Sequence, residues 1–131
     1  MSLIITNTGK QKALEYITGK DSSTETLVLK LYSNNVTPSA ADATTAYTEL
    51  STSNGYASIA LSASNWNITN GTAVYPQQTW IFTGAAGSVY GYYVINSVSS
   101  QLMFAQRFPN GPYTITTSGD TIRVTINLSL I

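Results

Sequence analysis

Val89-Tyr90-Gly91-Tyr92-Tyr93-Val94-Ile95-Asn96 is the stretch on which the fold turns. Aromatic and β-branched residues dominate it, which marks a strand. With a period of two, Tyr90, Tyr92 and Val94 point one way, and Val89, Tyr93 and Ile95 the other, around Gly91. Both faces are then apolar, whereas an antiparallel strand with one wet face alternates apolar with polar. Either the strand is central with both sides covered, or one of its faces meets a partner.

Shorter alternating stretches surround it. Upstream, Leu27 to Tyr32 carries Leu27, Leu29 and Leu31 on one face. Tyr56 to Ala63 turns Ile59 and Leu61 inward, and Gln78 to Thr83 puts Trp80 and Phe82 on one face. Downstream, Gln101 to Phe108 sets Leu102 and Phe104 to one side. Thr121 to Ile131 is the clearest amphipathic strand: Ile122, Val124, Ile126, Leu128 and Leu130 point inward against Thr121, Arg123, Thr125, Asn127 and Ser129. Asn54-Gly55, Asn70-Gly71 and Asn110-Gly111 are turn dipeptides, Gly84 to Gly87 and Ser118 to Asp120 make further connections, and Asn34 to Thr48 is loop. About seven or eight short strands separated by Gly and Asn turns predict an all-β chain, an antiparallel β-sandwich or jelly-roll-like domain.

The first 20 residues differ. After the apolar Leu3-Ile4-Ile5, Thr8-Gly9-Lys10-Gln11 fits a capping box, and Lys10 to Thr18 is rich in helix formers, with Ala13, Leu14 and Ile17 as its apolar positions. One short N-terminal helix is expected over about residues 9–18, ended by Gly19 in the left-handed conformation. Gly9-Lys10 and Gly19-Lys20 lack the second glycine and the Ser/Thr of a phosphate loop.

At 131 residues the chain is sized for one domain, 1–131, with a strand/helix segment over 1–25 and a β-domain over 26–131. Without cysteine or histidine it has no disulfide, thiolate metal site, cysteine nucleophile or Ser-His-Asp triad. No cofactor is expected, and the chain reads as a non-enzyme. A net charge of zero argues against nucleic acid and anionic membranes as partners. No apolar run reaches the ~18–20 residues of a membrane-spanning helix, and the N-terminus does not read as a signal peptide, so synthesis in a cytoplasm is expected. Charged residues make up only 9% of the chain, against about 25% in ordinary domains. None lies between Glu49 and Arg107, while seven of the twelve fall in residues 1–30. A neutral surface rich in Thr, Ser and Asn repels its own copies little and desolvates cheaply, which suits dense protein-protein packing; drift in composition is the plainer explanation.

Among the six carboxylates, Glu15, Glu25, Glu49, Asp21, Asp42 and Asp120, none lies on a core strand beside a second, as a glycosidase pair would. Asp42, alone or with Asp21, is too sparse for calcium. N-glycosylation sequons at Asn35, Asn67, Asn70 and Asn127 match what the Ser/Thr content produces by chance. Aromatics are more informative, because Tyr and Trp anchor interfaces and also stack on sugars. Trp80 and Phe82 read as core. Tyr90, Tyr92 and Trp66 are open between core packing and contact.

Five stretches together resemble small structural proteins of tailed bacteriophages, cyanophages included. They are Leu29-Lys30-Leu31-Tyr32-Ser33-Asn34-Asn35, Phe82-Thr83-Gly84-Ala85-Ala86-Gly87, Val89-Tyr90-Gly91-Tyr92-Tyr93-Val94, Ala105-Gln106-Arg107-Phe108 and Gly119-Asp120-Thr121-Ile122-Arg123-Val124. The likeness covers most of residues 27–128, and Ile126-Asn127-Leu128-Ser129 resembles the usual closing strand. It implies a virion component, a capsid decoration (cement) protein or a small tail or fibre protein, and carries no active-site residue. Decoration proteins sit as trimers over three-fold points and bridge capsomers, so the implied partners are the major capsid protein and further copies of this chain. The N-terminal helix, with Lys10, Lys12 and Tyr16, is then the shell-facing anchor. The alternative is a tail-fibre, baseplate or receptor module that binds glycan through exposed aromatics, Trp66 and Tyr75 foremost.

Overall fold

The structure, a computed structural model, describes residues 3–18, 20 and 26–129. In chain order its elements are β1 (Ile4–Ile5), α1 (Asn7–Ile17), β2 (Leu27–Tyr32), β3 (Ile59–Leu61), β4 (Asn67–Thr69), β5 (Thr72–Val74), β6 (Gln78–Ile81), β7 (Gly87–Val89), β8 (Gly91–Asn96), β9 (Leu102–Arg107), β10 (Tyr113–Ile115), β11 (Thr121–Val124) and β12 (Asn127–Ser129). The largest sheet has the order β1-β9-β8-β2-β3, and β10-β7, β11-β6 and β12-β5-β4 form smaller ladders. Every pairing is antiparallel. The chain is an all-β, sandwich-like fold with one N-terminal helix.

Strand β8 is central, and all six of its residues are buried. Tyr92 and Val94 join Leu29, Leu31, Leu61 and Phe104 in the main core, against Trp80, Val89, Ile115, Ile122, Val124 and Ile126 of the smaller ladders and the segment after β11. On the opposite face, Tyr93 and Ile95 pack with Tyr32, Leu102 and Ala105 beneath Tyr47, Val36 and Ala46 of the loop after β2. Both faces are apolar because both are covered within this chain.

The single alternating strand expected over residues 89–96 is two. The chain leaves β10 after Val89 and enters the pairing with β2 and β9 at Gly91. This change of partner resets the alternation, so Val89 sides with Tyr92 and Val94, and Tyr90 with Tyr93 and Ile95. A Cβ at Gly91 would overlap the Gln106 carbonyl and the Tyr32 ring, so only glycine fits at the crossing point. The closing strand divides in the same way: β11 pairs with β6, β12 pairs with β5, and Ile126 lies between them. Ile122, Val124 and Ile126 are buried and Leu128 half-buried; Leu130 lies outside the described residues. A bulge in β9 shifts the register between Val94 and Ile95 and leaves Met103 as an extra residue. Leu102 and Ala105 therefore share one face, and Met103 and Phe104 the other. At the β4–β5 hairpin, Asn70 (φ 52°) and Gly71 (φ 78°) adopt the paired left-handed conformation of a type I′ turn.

The helix starts earlier than its sequence suggests. Thr6, not Thr8, is the N-cap, and its Oγ1 accepts from the Gly9 N–H at 3.0 Å. The sheet sets this start, because Thr6 is buried at the end of β1 and its N–H donates to the Met103 carbonyl at 3.1 Å. Gly19, the expected terminator, lies outside the described residues; Thr18 caps the end, its N–H donating to the Leu14 carbonyl at 3.0 Å.

Candidate interaction surface

Helix α1 lies across the bulge of β9. A Cβ on Gly9 would overlap the Met103 carbonyl, so glycine lets the helix approach the strand this closely. Beneath the helix runs a groove of about 180 Å³, lined by Ile5, Gly9, Lys12, Ala13, Tyr16, Leu27, Met103, Phe104 and Leu128. No residue of α1 is fully buried. Leu14 and Ile17, two of the helix's apolar positions, project outward at 62% and 72% exposure. The cause is the docking through Gly9, which turns the small and amphipathic residues to the sheet and the larger aliphatic ones away.

Of the expected contact residues, Lys10, Lys12 and Tyr16 share this helix. Lys10 and Tyr16 are exposed, Lys12 is half-buried, and Lys12 and Tyr16 line the groove. The aromatic residues are dispersed. Trp66 is half-buried and stands edge-on to Tyr75, with ring centroids 5.0 Å apart. Tyr75 is buried, and its hydroxyl accepts from the Ser62 N–H at 2.8 Å and from Asn65 Nδ2 at 3.3 Å. Its expected exposure is therefore corrected: burying the ring while the hydroxyl satisfies a backbone amide makes it a core residue. Tyr92 is also buried, with its hydroxyl donating to Gln106 Oε1 at 2.7 Å. Tyr90 is half-buried under the Arg107 guanidinium, 5.1 Å from its ring centroid. Sequence reasoning did not single out Leu14 and Ile17 as contact residues. Their three-residue spacing was visible, but the direction of the helix face was set by Gly9.

Three loop and turn carboxylates hold local structure. Asp42 accepts from the Ser39 N–H at 2.9 Å and the Tyr47 hydroxyl at 2.8 Å. Glu49 accepts from Lys30 Nζ at 3.2 Å and the Tyr56 hydroxyl at 2.7 Å. Burial, reinforced by these carboxylates, pushes the Tyr47 and Tyr56 phenols well above their ordinary range. Asp120 accepts from the Thr116 and Thr117 N–H groups, which hold its carboxyl below the usual range. Glu49 and Asp120 thus serve separate local networks. Among the described residues, no three His, Cys, Asp or Glu side chains group as metal ligands, and no helix is long and apolar enough to cross a membrane.

Comparison with protein-family models, with curated proteins and with solved structures finds no match to this chain.

Proposed function

We propose that the chain is a non-enzymatic structural protein of a tailed-phage virion, a capsid decoration protein. It binds the major capsid protein on the outer shell at symmetric positions, as a homotrimer, and stabilises contacts between capsomers. The observation that carries this proposal is the outward face of α1. A sparsely charged β-fold holds a helix against its sheet edge while Leu14 and Ile17 stand in solvent, with Lys10 also exposed on the helix. Exposed aliphatics on a docked helix suit a protein contact, and many modest contacts repeated over a shell sum to tight retention. A glycan-binding tip is less well supported, because Tyr75, one of its two aromatics, is in the core.

The test uses phage heads stripped of this protein and the double variant Leu14→Asp/Ile17→Asp. Deleting residues 1–20 would also uncover β9, so point changes are cleaner. Both side chains are exposed, so folding stability should change by no more than about 0.5 kcal/mol for each. Loss of head binding with stability retained supports the proposal; unchanged binding overturns the role given to α1.

A further inference from the structure

We propose that residues 3–18 form an exchangeable arm: β1 and α1 of one copy dock on β9 of a second copy with the same contacts they make within one chain. The proposal concerns self-association and stands apart from whether the protein belongs to a virion.

Three observations support it. First, the arm's hydrogen bonds, including those from the buried Thr6 hydroxyl to the Leu102 and Met103 carbonyls, are received by main-chain groups. Ile4 pairs with Ala105 and Ile5 with Phe104, the Thr6 N–H donates to the Met103 carbonyl, and the Asn7 N–H donates to the Ala40 carbonyl at 2.9 Å. Strand addition of this kind is made as readily by another copy, since the receiving edge is the same surface. Second, apart from the close contact at Gly9, the helix of the arm buries little on its own chain. No helix residue is fully buried, and a groove of about 180 Å³ separates part of the helix from the sheet. Third, Leu14 and Ile17 are largely exposed, and exchange brings two chains side by side at this edge, where the second copy can cover them. Seven residues separate Thr18 from Thr26, and the eight steps between them span at most roughly 29 Å when extended. An uncovered β9 edge would also be a pairing hazard, which gives each copy reason to accept an arm from some source.

Because the natural chain has no cysteine, engineered thiols report this geometry without interference. An Ile4→Cys chain and a size-tagged Ala105→Cys chain are unfolded together, refolded and oxidised, then separated without reductant. Cα spacing across an antiparallel pair, about 4.5–5.5 Å, lies within the range that a disulfide spans. Exchange predicts a tagged–untagged heterodimer as the main disulfide product, well above either chain's pairing with itself. Heterodimer at or below the level of self-pairing overturns it. If Ala105→Cys does not fold, Leu3→Cys with Gln106→Cys reads the next position of the same register. The double variant Ile4→Cys/Ala105→Cys provides a second reading. Covalent oligomers are expected, and a product that remains entirely as internally bridged monomer at all protein concentrations overturns the exchange.

Discussion

Tyr56→Phe and Tyr92→Phe remove the same oxygen from two buried tyrosines, yet the structure predicts different losses. The Tyr56 hydroxyl donates to Glu49 Oε2 at 2.7 Å and accepts from the Leu31 N–H at 3.1 Å. Leu31 is wholly buried, so Tyr56→Phe leaves its amide without that acceptor and without water. A stranded buried donor costs about 1–3 kcal/mol. Glu49 is 28% exposed and keeps Lys30, so it rehydrates in part and adds roughly 1 kcal/mol, below the range for fully desolvated charged bonds. The total is about 2–4 kcal/mol. The Tyr92 hydroxyl makes one hydrogen bond, to the half-buried Gln106 side chain, and its removal costs about 0.5–1.5 kcal/mol. Urea unfolding followed by fluorescence reads both, with Trp80 well placed because its ring stacks on Tyr56 at 6.2 Å. The expected order is wild type, then Tyr92→Phe, then Tyr56→Phe. Equal losses would refute the assignment of the Leu31 amide to the Tyr56 oxygen.

Alkaline pH should unfold the protein. Burial raises the Tyr32 and Tyr93 phenols to about 12 and lifts Tyr47, Tyr56 and Tyr92 further. An unfolded phenol ionises near 10, so the stability these groups contribute is complete below about pH 10 and lost as pH rises through 12 and beyond. Phenolate absorbance from these five should appear together with loss of near-ultraviolet circular dichroism; ionisation with the fold intact would contradict their burial. Gly9→Ala should push α1 off the Met103 carbonyl at a cost of about 1–3 kcal/mol, reduced by up to ~1 kcal/mol of helix propensity. Hydrogen exchange should then show faster exchange at Thr6 and Lys10 while β8 stays protected. Phe82→Ala, at a fully buried site, should cost about 3–5 kcal/mol in the same urea assay.

Strands were legible in the sequence wherever one partner holds a strand for its whole length. Leu27 to Tyr32 pairs with β8 throughout, and its alternation reads directly onto the core. Where the chain changes ladders, periodicity misleads. At Tyr90 and again after Val124, two strands run on without a turn, and the faces reset at positions set by tertiary pairing; Gly91 marks the first crossing, but a lone glycine in a strand does not say which way the faces reset. The bulge at Met103 had no local signature. Thr8 and Gln11 matched a capping motif, but Thr6 won because β9 supplies it with partners nearly a hundred residues away. The placement of the candidate contact residues was legible in part. Lys10, Lys12 and Tyr16 do lie together on α1, whereas the outward direction of Leu14 and Ile17 could not be read from their spacing, because an apolar helix stripe ordinarily faces the core and here the Gly9 contact sets which face meets the sheet. Tyr75, expected to be exposed, is buried, and Tyr92, open between core and contact in the sequence, is core; in both the ring is buried while the hydroxyl reaches a partner nearer the surface.

Copy number per particle tests the central claim most directly. Phage encoding this chain would be purified, and the protein quantified against the major capsid protein by mass spectrometry. A capsid decoration protein predicts a ratio near one-to-one or a simple symmetric fraction of it. A few copies per particle would move the protein to the tail or fibre, and its absence from purified particles would contradict the structural role altogether.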